Sequence, residues 1–395
     1  MLHHTIVPMR KRRRGRATRR GTERWYPSLE QFDTIRDREN LGRVMKASDV
    51  LISGLGAFLP DRVPMGWAVE RGLIDRTAAE EYGITSVTVA GEIPAPEMAV
   101  RACRQALERA GQNPASLSLL LYVSVWYQGP HGWCPQYYVQ RHTGAGQATA
   151  AEVRQGCMGM FSALELAASH LMASAEHEAA LVTSGDNFTS ELLERWRFSP
   201  HFVMGDAGSA VVLSRRKGFA RLKSVNAVTL PEYEAMHRGP EPLFPPGAGL
   251  PGKLDFGDSK DRWLDGPDRD PAGPLKLVAA QDELISRTLD EAGITMDDVS
   301  RVAYANGSRE RVEGRAMIPL GLPMSLSTWE QGRTVGHIGA SDQVVALEQL
   351  LLSGELRRGD HFLMLGVGPG LNIACAVIEI TETPHWSSAH PATAS

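Results

Sequence analysis

Apolar and polar positions along this chain repeat with two periods, and they do so twice over. In the first stretch Met98, Ala102, Ala106 and Ala110 recur at helical spacing and stop at Ala110-Gly111. In the second, Leu284, Thr288, Leu289 and Ala292 do the same and stop at Ala292-Gly293. A short polar turn and an apolar strand follow each: "SLLLYVSV" (118–125) after the first helix, "VSRVAYANGS" (299–308) after the second.

The parallel continues downstream. Gly111 precedes Cys157 by 46 residues and Gly293 precedes His337 by 44. Around those positions stand "GCMG" and "GHIG", each predicted to open a helix that runs through Ala-Leu-Glu. A polar turn and a strand ending in glycine come next, "EAALVTSGDN" in one case and "DHFLMLGVGPG" in the other. Closing strands follow at "SAVVLSR" and "IACAVIEI". Two tandem βαβ-rich copies predict two similar layered α/β halves packed face to face, over about 48–223 and 224–382. A Pro- and Gly-rich stretch from about Gly239 to Gly273 reads as a long loop serving as a lid or binding wall. Residues 383–395 read as a disordered tail.

A lone cysteine in an apolar run is usually core filler, and the string around Cys157 does not by itself say otherwise. The duplication does. Equivalent loops of the two halves meet near a pseudo-twofold axis, so Cys157 and His337 are expected to face one another. A thiol beside an imidazole and at a helix start has its thiolate favoured by the charge and by the helix dipole, as a covalent thiol catalyst requires. No other cysteine is expected in a comparable helix-opening turn. Asp342, five residues beyond His337, is expected one turn into the next helix, where it can orient the imidazole or merely cap the helix.

Composition narrows the class. Of 395 residues, 43% are hydrophobic and 22% charged, an ordinary globular balance. The best apolar run is interrupted by Glu165 and His170, so no membrane span is expected. Four scattered cysteines without a CxxC pair argue against a metal site or a disulfide scaffold and fit a cytoplasmic protein. "MRKRRRGRATRR" places eight basic residues in a segment (1–47) that reads as a disordered extension. Without those eight charges the formal balance moves from −4 to −12, which disfavours nucleic acid as a partner.

From about Ser48 to Ile380 the chain resembles the ketoacyl synthase III-type members of the thiolase superfamily. The stretches that carry the resemblance are "ISGLGAFLPDRVP", "AVRACRQALERAGQNPASL", "GCMGMFSALELAA", "VMGDAGSAVVLSR", "GHIGASDQ" and "GVGPGL". The resemblance implies a five-layered αβαβα fold, a homodimer, and a cysteine acylated from a CoA or acyl-carrier-protein thioester, with no further cofactor. Housekeeping members carry a histidine in a "PHQAN"-type strand end and an asparagine in a "GNTS"-type loop, and these make decarboxylation possible. Here the first stretch reads "VAYANGSRE", with Ala305 or Asn306 at the histidine's place, and the second carries His337 where asparagine belongs.

That pattern resembles a divergent branch of antibiotic and polyketide biosynthesis, which holds starter-unit synthases and acyltransferases. It implies Cys157, His337 and Asp342 as the catalytic set, with His237 in "MHRGPEPLFPPG" as a second pocket histidine and Asn306 in support. Backbone N–H groups of "GVGPG", at Gly368 and Gly370, are candidates for the oxyanion hole. Asp206 in "GDAGS" reads as a turn brace. The segment "EEYGITS" lacks the family's arginine, which favours a carrier-protein donor over CoA. Three functions are open at this point. The first is transfer of an acyl group from Cys157 to a small-molecule hydroxyl, an amine or a carrier thiol. The second is decarboxylative priming of a polyketide. The third is a silent partner that only binds acyl carriers.

Overall fold

The computed structural model describes residues 50–239, 243–244, 254–266 and 269–387. The basic segment, most of the Pro/Gly-rich stretch before residue 254 and the last eight residues lie outside them. In the first half, β1 (Leu51–Phe58) is followed by the small hairpin β2 (Arg62–Pro64) and β3 (Ser86–Thr88), with α1 (Met65–Glu70) and α2 (Arg76–Tyr82) between its strands. Then come α3 (Ala95–Ala110), β4 (Leu119–Val123), α4 (Pro135–Thr143), β5 (Thr149–Val153), α5 (Gly159–Ala173), β6 (Ala179–Asp186) and β7 (Ala207–Ser214). The second half comprises β8 (Ala220–Thr229), α6 (Phe256–Leu264), α7 (Gly273–Ala292), β9 (Val299–Tyr304), the single turns α8 (Arg309–Val312) and α9 (Trp329–Gly332), α10 (Asp342–Ser353), β10 (His361–Gly368) and β11 (Asn372–Ile380).

Nine strands join in the order β5-β4-β6-β7-β1-β8-β11-β10-β9. The duplication is visible in the pairing. In the first half β4 runs parallel to β5 and β6, and β6, β7 and β1 then alternate antiparallel. In the second, β9 runs parallel to β10, and β10, β11 and β8 alternate antiparallel. A lone parallel bridge from Val302 to Ser327 stands where β5 stands in the first half. Only Leu51 and Ile52 of β1 pair with β8, so the halves meet at a narrow seam.

Both faces of β4, β6, β7, β10 and β11 are almost wholly buried, and the period of two sorts their side chains. Ala180 and Val182 of β6, Phe362 and Met364 of β10, and Ala374 and Ala376 of β11 face a shared core filled by α5 and α10. The residues between them turn outward, Leu181 toward α3 and α4, and Leu363, Leu365 and Cys375 toward α7. The layers are therefore helix, sheet, helix pair, sheet and helix: the expected αβαβα stack. α3 and α7 end where the pattern places them, with Gly111 and Gly293 in the left-handed conformation that closes a helix.

Several expectations are corrected. The boundary at 223/224 falls inside β8, which pairs with β11 and belongs to the second half from Ala220 onward. The stretch from Gly239 to Gly273 is not loop throughout, because Asp255 caps α6 by accepting the Asp258 N–H and Trp263 buries the helix against Tyr233. The tail is anchored as far as Ser387: Trp386 meets Phe219 edge-on and lies 4.2 Å under the Arg109 guanidinium. α5 is less uniformly buried than its composition suggests, with Leu166 54% and Met172 37% exposed.

β1 lies tight against α3 because it carries glycine where the helix carries alanine. A Cβ on Gly54 would fall 2.1 Å from the Ala106 carbonyl oxygen, and one on Gly56 equally close to that of Ala102. Gly54→Ala is therefore expected to lower unfolding stability by about 3 kcal/mol or more. Gly72→Ala, at φ +66° with open space around it, should cost only about 1–2 kcal/mol. Urea denaturation of both variants checks the contrast, and equal losses would contradict the packing account.

Candidate active site

Cys157 sits in the single 3-10 turn Gly156–Met158 that leads into α5. That turn is held against the β10–β11 hairpin of the other half. Met158 fills the space above Gly366 and Gly368, where a Cβ would come within 2.6 and 3.0 Å of its side chain. Pro369 closes over Gly156, whose φ of +57° and 3.0 Å clearance suit glycine. The hairpin itself is strained: Leu371 holds φ +47° while 6% exposed, and its carbonyl accepts the Leu230 N–H.

His337 approaches from the second half. Its backbone is bridged to residues 203–205, with its N–H donating to the Val203 carbonyl at 2.8 Å and its carbonyl accepting the Gly205 N–H at 2.9 Å. Its ring, 4% exposed, lies edge-on to Phe202 at 4.8 Å. Nε2 is 2.9 Å from Cys157 Sγ, and Nδ1 donates to Asp342 Oδ2 at 2.6 Å. The two equivalent loops thus meet as the duplication predicts.

Asp342 is the first residue of α10, not a turn inside it. There it completes a buried set of donors: the Asn306 N–H at 2.8 Å and the Ile338 N–H at 2.9 Å, besides the imidazole. Its carboxylate is too fully engaged to be a simple helix cap. Asn306 reaches the pair only through Asp342. Its side-chain amide donates one N–H to the Gly336 carbonyl at 2.9 Å, so it braces the turn before His337.

Burial opposes charge on the His337 ring, but the facing Cys157 and the Asp342 carboxylate outweigh it and raise the imidazole from 6.5 to about 10. The ring thus holds its proton well above the usual imidazole range, with sulfur on one side and a carboxylate on the other. Cys103 and Cys375 are inert by contrast, since burial pushes both thiols up to about 12. Cys134 corrects one expectation: it is exposed and stands at the N-cap of α4, so a second cysteine does open a helix.

His237 does not join the pair. Its ring lies edge-on to Phe256, and a row of rings, Phe256, Phe198 and Phe202, separates it from His337. Burial, with Lys260 and Arg311 nearby, pushes it down to about 4, so it is neutral. Lys260 is itself lowered, by burial and then by Arg315 and Arg311. Arg311 lies 5.4 Å from the Phe202 ring centroid. These cations form a local basic patch one ring away from His337, which sequence spacing did not reveal. Asp186 stands beside Gly339, in the turn that follows His337. Its Oδ1 accepts the N–H groups of Val125 and Trp126 and the Gln128 amide, while Oδ2 has no partner and lies 3.3 Å from where a Gly339 Cβ would stand.

Comparison with known proteins gives the chain's family and fold. The family model described as 3-oxoacyl-[acyl-carrier-protein (ACP)] synthase III matches residues 151–229, and its C-terminal counterpart matches residues 289–380. The chain is 25% identical over 344 residues to the beta-ketoacyl-[acyl-carrier-protein] synthase III of Clostridium beijerinckii, covering 84% of this chain and 99% of that one. The solved structure of ChlB3, an acyltransferase, is 48% identical with a TM-score of 0.82, covering 86% of this chain and 99% of that one. The 3-oxoacyl-[acyl-carrier-protein] synthase III of Aquifex aeolicus superposes with a TM-score of 0.68 at 21% identity, over 84% of this chain and 99% of that one, which establishes the shared fold.

Asp186 makes a pH dependence testable. Burial chiefly, with Asp206 adding to it, raises its carboxyl from 3.8 to about 7. The folded state thus holds a proton that the unfolded chain releases above about pH 4, and this stabilisation is full below that pH and lost as pH rises through about 7. Asp186→Asn removes the dependence. Its melting temperature is expected to exceed the wild type's by more at pH 8 than at pH 5. A difference that does not change with pH would contradict the assignment.

Proposed function

Because the chain belongs to the 3-oxoacyl-[acyl-carrier-protein] synthase III family, we propose that it works as a transferase whose Cys157 takes an acyl group from a thioester and passes it to a non-malonyl acceptor. The observation that carries this reading is the Cys157–His337–Asp342 line, with histidine at the place where decarboxylating members carry asparagine.

The steps follow from proton bookkeeping. The Cys157 thiolate adds to the thioester carbonyl, and the developing oxyanion meets backbone N–H groups near Cys157 and in the Gly368–Gly370 turn. Collapse breaks the carbon–sulfur bond of the donor, and the His337 imidazolium gives its proton to the departing thiolate. Acylation also removes the cysteine's charge, the first of the influences that raise His337. The imidazole left behind is a weaker holder of protons and is free to take one from an attacking hydroxyl, amine or carrier thiol. Asp342 keeps Nδ1–H fixed throughout and stabilises the imidazolium whenever it forms. The Asn306 and Ile338 N–H groups hold Asp342 in place.

Decarboxylative condensation is the competing reading, favoured by the names of the curated relatives. It needs two neutral donors poised on a thioester enolate. Here Asn306 already gives one amide N–H to Gly336, and His337 gives its Nδ1–H to Asp342. The basic patch of Lys260, Arg311 and Arg315 supports an acidic acyl carrier protein as donor. The open edge of β5 and the exposed Leu166 and Met172 support a homodimer. Secondary metabolism, in antibiotic or polyketide assembly, is the setting that fits transfer without chain extension, and a cytoplasmic location fits the free thiols.

Intact-mass spectrometry with a panel of acyl thioesters tests the proposal. Wild type and Cys134→Ser are expected to gain one acyl mass and Cys157→Ala none; an adduct persisting in Cys157→Ala overturns the nucleophile. Asp342→Asn should lose roughly 10²–10⁴ in turnover, as other oriented-histidine systems do. Offered malonyl carrier protein beside hydroxyl, amine and thiol acceptors, the acyl-enzyme is expected to release the transfer product. Carbon dioxide with a β-ketoacyl product at a matching rate would promote the condensing reading.

A further inference from the structure

Sequence reasoning gave Arg195 no role, yet the chain builds a buried ion pair around it. The guanidinium grips both oxygens of Asp206, Nη1 to Oδ1 at 3.1 Å and Nη2 to Oδ2 at 3.0 Å, with Asp206 fully buried. Nη1 also donates to the Met204 carbonyl at 3.2 Å, and Nη2 to Thr189 Oγ1 at 2.9 Å. The Arg195 backbone carbonyl accepts the Met204 N–H at 3.1 Å, so Met204 is held by side chain and main chain together.

Met204 is the middle residue of the segment that carries His337. Its neighbours supply the two backbone hydrogen bonds on either side of that histidine, Val203 through its carbonyl and Gly205 through its N–H. Phe202, one residue earlier, supplies the ring that meets the imidazole edge-on. Asp206 anchors the far end, accepting the Phe188 and Ala90 N–H groups at 2.8 Å. Thr88 ties the anchor to the same loop: its hydroxyl donates to the Asp206 carbonyl at 2.7 Å, and its N–H donates to the Val335 carbonyl, two residues before His337.

We infer that Arg195, through its ion pair with Asp206, is a positioning residue for His337, setting the distance from imidazole to Cys157. The inference rests on His337 acting on Cys157, as proposed above. The pair touches no reacting atom, and its effect passes through one backbone segment. A buried pair of this kind is weak evidence for a contribution to stability, because desolvation offsets the attraction. Its location makes placement of the ring the consequence to measure.

The experiment is alkylation of Cys157 by iodoacetamide as a function of pH, in a Cys134→Ser background, read by peptide mass. In the parent, the imidazole facing the sulfur is expected to make Cys157 react faster than an ordinary thiol at neutral pH. In His337→Ala that advantage is expected to be lost, and the rate to climb only at higher pH. Arg195→Lys, and the charge-neutral double variant Arg195→Met with Asp206→Asn, are expected to melt cooperatively while their profiles move toward that of His337→Ala. Turnover should fall by on the order of 10² with KM little changed, the scale expected for a catalytic group displaced by about 1 Å. A parental profile in either folded variant, beside a shifted His337→Ala, overturns the positioning role alone. A parental profile in His337→Ala overturns the dyad, and the inference with it. Failure of both Arg195 variants to fold would make the pair a folding element and overturn the assignment too.

Discussion

A carboxylate with no access to water, surrounded by donors, is the constraint on which the site depends. Asp342 is 2% exposed and accepts the Asn306 N–H, the Ile338 N–H and the His337 ring. It also sits at the start of α10, where the helix dipole favours negative charge. A carboxylate so fully engaged is fixed in place, so it holds Nδ1–H and leaves Nε2 to face sulfur. The roles proposed for Cys157 and His337, and the need to hold residues 203–205 in register, follow from that orientation.

The duplicated fold brings these parts together without long loops. The first half delivers a cysteine at the start of α5, the second delivers a histidine and a carboxylate at the start of α10, and the two helices share the central core. Small contacts fix the meeting point: Met158 over Gly366 and Gly368, and Pro369 over Gly156. Arg311 of the basic patch lies next to Phe202, and the unpartnered Asp186 oxygen lies beside Gly339. The site is thus asymmetric, although its scaffold is nearly symmetric.

Much of this was legible in the sequence because it was local or repeated. Helix ends at Gly111 and Gly293 are written in one residue each, and the equivalence of Cys157 and His337 shows in their spacing from those glycines. What escaped depends on contacts between distant segments. Arg195 carries no local signal, since its meaning lies in Asp206 and Met204 after the chain has folded. Asn306 looks like a donor until Gly336 is seen to take its amide. Asp255 and Trp263, which make α6, are hidden among prolines and glycines, and Trp386 looks like tail until Phe219 and Arg109 meet it. Lys260 is far along the chain from Arg311 and Arg315, so its convergence with them is a property of the fold alone.

The central claim is that His337 holds a proton opposite Cys157 and that acylation releases the imidazole to act as a base. Nuclear magnetic resonance of the His337 ring, titrated with pH in the free protein and again with Cys157 capped by an uncharged amide, tests it most directly. The account predicts an imidazolium that persists to about pH 10 in the free protein, and a clearly lower midpoint once the sulfur carries no charge. The same midpoint in both forms, or a neutral ring at pH 7 in the free protein, would contradict it.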